Sequence, residues 1–172
     1  MSHNIINQEV DIMLLSQQSI YLEKKFSYIT KDPEYKGLSV IKRHSYTNTY
    51  DHSIRVAVAA SLIAKWLHAD SVSASRAALL HDFCLVDYNK KNDHPGLYCF
   101  YHPKEAAENA ERFNLSRTER KAIETHMFPL GKIPTSRIGW SITIADKVVA
   151  IYEKFYGISS AKKLIMTSEN EA

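Results

Sequence analysis

Along most of the chain, apolar residues return every three or four positions, the spacing that lines one face of an α-helix, and no stretch keeps the strict alternation of a half-buried strand. The pattern predicts an all-α fold. A first amphipathic helix is expected over "NQEVDIMLLSQQSIYLEKKFSYI", closed by "KDPEYKG", where Asp32 precedes Pro33 and Gly37 interrupts the periodicity. "DHSIRVAVAASLIAKWLHA" predicts a second helix, with Ile54, Val58, Leu62 and Trp66 repeating every four residues. A third follows over "SVSASRAALLHDFCLV", capped by Asp70 or Ser71, whose short side-chain oxygens can accept from the exposed N–H groups of the first turn. "YNKKNDHPGLYCFYHP" reads as a polar loop, and Pro103 as the first-turn residue of a helix through "KEAAENAERF". Ser116 and Glu119 form the capping box "SRTE" ahead of "RKAIETHM", which Pro129 and Gly131 close. The last long helix, "SRIGWSITIADKVVAIYEKFY", is expected to stop at Gly157, and the tail "MTSENEA" to be disordered.

No repeat, low-complexity run or composition shift divides the chain. One domain is expected: a helical extension at residues 1–42 packed on a core at 43–157, with a tail at 158–172. At 172 residues and 45% hydrophobic content the chain can bury a sizeable core. A formal charge of +3, without a concentrated Lys/Arg stripe, makes nucleic acid an unlikely partner in this reading. Cys84 and Cys99 form no CxxC pair, and no secretory segment follows "MSHNIINQEV", so a reducing cytoplasm is the expected compartment. The longest apolar run, "VAVAASLIA", is far short of the roughly 20 residues that span a bilayer, and no membrane partner is expected.

The candidate chemistry lies where polar residues interrupt apolar stripes. His81 has Ala77 and Ala78 one turn before it and Cys84 and Leu85 one turn after, and Asp82 adjoins that stripe. Asp146 lies four residues after Ile142 and three before Val149. His126 follows Ala122 and Ile123 at the same spacings, and His52 opens a helix whose stripe continues through Val56 and Ala59. One inward histidine is most simply a core imidazole bonded to a carbonyl. Both carboxylates, however, are expected inside helices where capping is unavailable, with no arginine on the same stripe. A buried carboxylate must be paired or metal-bound. Three imidazoles and two carboxylates turned inward together point to a divalent cation. His94 and His102 flank the loop "HPGLYCFYHP", and His102, just ahead of a helix, is the better placed of the two. His44 suits a site-lining or a plain loop role and is left outside the metal set, and His68 suits a helix C-terminus.

The ordered series His52, His81-Asp82, His102, His126, Asp146 resembles the signature of the HD-domain metal-dependent phosphohydrolase superfamily, over roughly positions 44–157. The resemblance implies a helical bundle of HD type in which His52, His81, Asp82 and Asp146 bind one metal. His102 and His126 fall where two-metal subfamilies add histidines, with Asp82 as the bridging carboxylate and a catalytic residue. "YHPKEAAENA" and "ETHMFPL" are similar to segments of uncharacterised bacterial HD hydrolases. The Gly-Tyr-Pro motif and further paired histidine of cyclic-dinucleotide hydrolases are absent, and the HD enzymes that split dinucleoside tetraphosphates are nearer in size and ligand order.

An enzyme of this kind implies one or two divalent ions, from Fe, Mn, Co, Ni or Zn, and a small phosphorylated substrate such as a nucleotide or dinucleoside polyphosphate. Arg55, His94 and Lys147 are candidates for substrate contact, with a solvated helix charge the alternative for Arg55 and Lys147. The same ligands would serve an HD-type di-iron oxygenase, and a metal-stabilised ligand-sensing module without turnover is a third class. A homodimer is among the possible assemblies.

Overall fold

The computed structural model describes residues 16–44, 47–85 and 97–169, with 44 and 156–169 described by backbone alone. Helix α1 covers 16–25, followed after a turn at Phe26 by α2 (Ser27–Thr30), α3 (Pro33–Lys36) and a 3-10 turn (Gly37–Val40). Strands β1 (Lys42–His44) and β2 (Thr47–Asn48) pair antiparallel, and α4 (Thr49–Trp66) and α5 (Ser71–Leu80) follow. Beyond lie α6 (Tyr98–Asn109), a 3-10 turn (Ala110–Phe113), α7 (Arg117–Thr125) and α8 (Arg137–Glu169). The fold is the expected all-α bundle, with one short ladder added.

Helix α4 is the centre of the bundle, packed on α5 and on α8, while α7 bridges α5, α6 and α8. Ala57, Ala60 and Ala64 of α4 and Ala74, Ala77 and Ala78 of α5 are fully buried. Their small side chains let helix axes approach closely, so that functional groups carried on different helices meet over short distances. Leu22, Phe26, Ile29, Tyr35 and Leu38 belong to the same apolar cluster as Ile54, Leu80 and Ile142, so the N-terminal helices pack onto the bundle. Tyr35 donates its hydroxyl to the Leu79 carbonyl at 2.8 Å and lies edge-on to Tyr50. That bond fastens α3 to the end of α5, just before the histidine–aspartate doublet.

The caps follow the expected chemistry. Asp70 accepts from Val72 N–H at 2.9 Å, and Ser116 with Glu119 forms the reciprocal capping box. Several element boundaries differ from the sequence reading. Helix α5 ends at Leu80 instead of running on to Val86. Helix α6 begins at Tyr98, five residues before Pro103, which lies inside it. An interior proline forfeits one helical hydrogen bond, but the added turn fixes His102, whose ring stacks on Tyr98 at 4.3 Å. Helix α8 continues through Gly157 to Glu169, so residues 158–169 of the expected tail are helical; a glycine inside a helix costs only about 1 kcal/mol. On α4, Ile54 and Val58 are buried, whereas Leu62 and Trp66 are 50% and 77% exposed. Leu62 instead lines an apolar surface groove of about 440 Å³ with Val58, Val148, Val149 and Tyr152. None of the described helices is long and apolar enough to cross a membrane.

Candidate metal centre

Helix ends make the centre. The last carbonyls of a helix have no partner within it, and α5 and α7 each use the next residue's imidazole to supply one. His81 Nδ1 lies 2.7 Å from Ala78 O and His126 Nδ1 2.8 Å from Ile123 O. His102, within α6, does the same toward Tyr98 O at 2.7 Å. His52, in the first turn of α4, turns its Nδ1 to Glu153 of α8 at 2.9 Å. A carbonyl or carboxylate oxygen only accepts, so in the neutral rings each Nδ1 carries the proton and each Nε2 presents a lone pair.

Those four lone pairs converge on two carboxylates. Asp146 Oδ1 lies 3.1 Å from His52 Nε2 and 3.6 Å from His81 Nε2. Asp82 Oδ2 is 3.2 Å from His81 Nε2 and 3.9 Å from His52 Nε2. Its other oxygen, Oδ1, is 3.2 Å from His102 Nε2 and 3.6 Å from His126 Nε2. Asp82 thus faces one histidine pair with each oxygen. His52, His81, Asp82 and His126 are 0% exposed, His102 3% and Asp146 4%. The structure brings together all six residues of the expected series. It corrects one premise, since Asp82 lies in the turn after α5 and not inside a helix. Cys84 N–H donates to the Asp82 carbonyl at 2.7 Å, and Asn109 Nδ2 holds Phe83 O at 2.9 Å, which fixes the turn.

Burial decides the protonation state of the imidazoles. It pushes His81 and His102 down to about 4 and His126 well below the usual histidine range, because a charged ring is penalised away from water. Burial alone would raise Asp146, but its close contacts with the His52 and His81 rings outweigh it and hold the carboxyl well below its usual range. Near neutral pH the centre therefore presents His81, His102 and His126 as neutral imidazoles and Asp146 as a carboxylate, the forms that ligate metals.

Two residues at the centre went unread in the sequence. Arg43, on β1, reaches in from outside the helical stripes to pair with Asp82 and stands 4.0 Å from Asp146 Oδ1. Glu153 is seven residues after Asp146 with Val149 between them, a spacing that puts it on the same face of α8 and could have revealed it. Of the expected substrate contacts, Lys147 sits at the centre, with Nζ 2.7 Å from Asp146 Oδ2 and 3.4 Å from His126 O. Arg55 donates to Glu153 Oε1 at 2.9 Å, beyond the Nδ1 edge of His52 and away from the converging Nε2 atoms. His94 lies outside the described residues, and the side chain of His44 is likewise not described.

The donor set fits divalent cations. His52 with His81 and Asp82, His81 with His126 and Asp146, and Asp82 with His102 and His126 each gather ligand atoms within 4.8 Å of one another, and among the described residues no cysteine joins these groups. His102 Nε2 and His126 Nε2 face each other at 3.1 Å, both with lone pairs, an arrangement that repels unless a positive centre lies beside it. His81 Nε2 and Asp82 Oδ1 are buried without a hydrogen-bond partner. Buried polar atoms left so are costly, and a cation would satisfy them. Imidazole and carboxylate without thiolate suit Mn, Fe, Co, Ni or Zn, and the partial negative charge at the C-termini of α5 and α7 favours a cation between them.

Comparison with known proteins agrees with this geometry. The HD domain model matches residues 49–151, more than half of the chain, and that span holds all six converging residues. Ribonuclease Y from two strains of Ureaplasma parvum serovar 3 is 32% identical over 120 residues, covering 65% of this chain and 23% of each relative. The matched segment is thus about a quarter of the length of these relatives. The chain belongs to the HD domain family of metal-dependent phosphohydrolases.

Proposed function

We propose that the protein hydrolyses a small phosphorylated substrate, a nucleotide or dinucleoside polyphosphate, at a centre that holds two divalent cations. One observation carries this reading: four imidazole Nε2 atoms meet both oxygens of one buried carboxylate and one oxygen of another. His52, His81, Asp82 and Asp146 would hold one cation, and His102, His126 and the second oxygen of Asp82 the other. Bound there, the ions supply Lewis-acid polarisation of a phosphoryl oxygen and a water acidic enough to act as nucleophile near neutral pH. The protein's own part is positional. Carbonyls behind His81, His102 and His126, and Glu153 behind His52, fix which ring nitrogen faces the centre. Lys147, 39% exposed and touching Asp146, brings a cation within reach of an arriving phosphate. Arg43, 19% exposed, lies against the same carboxylates and can offer a planar fork to phosphate oxygens once the carboxylates bind metal.

The similarity to ribonuclease Y favours a second reading, in which the substrate is an RNA phosphodiester. A single screen separates the two. Purified protein loaded with Mn²⁺ or Ni²⁺ is offered phosphomonoesters, nucleotides, dinucleoside polyphosphates and short RNA, with product resolved by chromatography. Turnover confined to nucleotides or dinucleoside polyphosphates supports the first reading. Cleavage of RNA alone supports the second, and oxygen uptake without phosphate release would overturn both.

A further inference from the structure

His52 is held differently from the other three imidazoles. His81, His102 and His126 each give Nδ1–H to a neutral carbonyl of their own helix. His52 gives its proton to Glu153, a carboxylate 101 residues away that is only 7% exposed. Glu153 and Asp146 share one face of α8, so a single helix faces the ring at both nitrogens: Glu153 accepts from Nδ1 at 2.9 Å, and Asp146 Oδ1 stands 3.1 Å from the Nε2 lone pair. Arg55 holds the second oxygen of Glu153 at 2.9 Å and Thr47 Oγ1 at 3.0 Å, which ties β2, α4 and α8 together behind the ring.

Charge is unevenly shared as a result. The end of the centre built from His52, His81 and Asp146 has two carboxylates of its own, Asp146 and Glu153, beside one oxygen of Asp82. Among the described residues, the end built from His102 and His126 has the other oxygen of Asp82 as its carboxylate ligand. Lys147, Arg55 and Arg43, with side chains 39%, 44% and 19% exposed, oppose the charge of the first end, so the asymmetry rests on the number of ligand atoms and on the carboxylate behind His52. An ionised carboxylate behind a ligating imidazole orients it and strengthens its donor nitrogen.

We propose that Glu153, anchored by Arg55, is a positioning residue that orients and polarises His52 and makes the His52–His81–Asp82–Asp146 end the first cation seat to fill. The proposal rests on the two-cation reading above, and the test separates the two. Chelator-stripped protein is titrated calorimetrically with MnCl₂, and the imidazole ¹⁵N spectrum of the stripped protein reports which nitrogen of His52 carries the proton. Wild type takes up Mn²⁺ in a tight and a weak step, with His52 protonated on Nδ1. Glu153→Gln weakens the tight step about 10-fold and Glu153→Ala about 100-fold, leaving the weak step in place. Glu153→Ala also moves the His52 proton toward Nε2, which a merely structural role for Glu153 would not do. His102→Ala removes the weak step alone. A single wild-type step that Glu153→Gln weakens and His102→Ala spares supports the proposal equally. If the Glu153 variants do not fold, Arg55→Leu decides, by a loss confined to the tight step. Wild type that binds no Mn²⁺ overturns the cation reading itself. Wild type that binds it while the Glu153 variants, or Arg55→Leu in their stead, change neither step, both equally or only the weak one overturns this proposal and leaves that reading standing.

Discussion

Asp82 and Glu119 are both carboxylates with no exposed surface, yet their surroundings are opposite. Glu119, in the first turn of α7, has both oxygens hydrogen-bonded. It accepts from Arg76 Nε at 2.8 Å and Nη2 at 2.6 Å, and from Ser116 N–H at 2.8 Å and Oγ at 2.7 Å. Burial works to raise its pKa, but the Arg76 and Ser116 bonds win and hold it below the usual carboxylate range. Asp82, in the turn after α5, is paired by Arg43 on Oδ2 alone; it faces four imidazoles that bring lone pairs instead of protons, and its Oδ1 has no hydrogen-bond partner. The protein itself satisfies the first carboxylate, which therefore stabilises the fold. The second is met by Arg43 on one oxygen only, and its burial among four imidazole lone pairs is explained by cation chemistry and not by packing.

That contrast can be broken by substitution. Replacing Asp82 by Ala should reduce phosphate release to the uncatalysed background, since it removes the group shared by both halves of the centre, while the thermal midpoint of metal-free protein should fall less than in Glu119→Ala, because Arg43 keeps Asp146 as a second carboxylate neighbour. A steady-state assay paired with calorimetry of stripped protein checks both parts. Glu119→Ala should do the reverse, lowering the unfolding free energy by roughly 3 kcal/mol because Arg76 is left without its partner, with cation content per folded molecule unchanged. Urea unfolding followed by circular dichroism measures that loss.

Acid sharpens the comparison further. His81 and His102 have folded-state pKa values near 4 against 6.5 when unfolded. As pH falls below about 6.5 the unfolded chain takes up protons that the folded chain refuses, so stability is full above that value and is lost progressively toward pH 4. Mn²⁺ affinity of the folded protein should hold to lower pH and decline as pH nears 4, where protons begin to compete for the His81 and His102 nitrogens. Glu119 and Asp146 act lower, losing their contributions as pH drops through their depressed pKa values. Denaturant midpoints of stripped protein at a series of pH values test this, and an unchanged midpoint between pH 7 and pH 5 would contradict it. The smallest effect belongs to the cap. Ser116→Ala should cost about 1 kcal/mol, measured in the same urea experiment, without altering cation uptake.

Much of the centre was legible because an inward His or Asp violates an apolar stripe, and the order of these violations along the chain carries the family pattern. What escaped notice had local causes. Arg43 comes from a three-residue strand too short to show any periodicity. Glu153 continues the stripe of Asp146 and Val149, a signal present in the spacing but obscured because Glu is so commonly a solvent-facing helix residue. The end of α5 was misplaced because "FCLV" continues an apolar run, whereas the Ala78 carbonyl is already taken by the His81 ring at 2.7 Å. Leu62 and Trp66 fit a four-residue repeat, but repeats of four drift around a helix of 3.6 residues per turn, and the stripe leaves the core by its second half.

The most direct test of the account is the divalent metal content of purified wild-type protein beside Asp82→Ala, read by plasma mass spectrometry after equilibration with Mn²⁺ and desalting. The account predicts between one and two ions per wild-type chain and almost none in the variant. An equal content in the two proteins, or none in either, would contradict it.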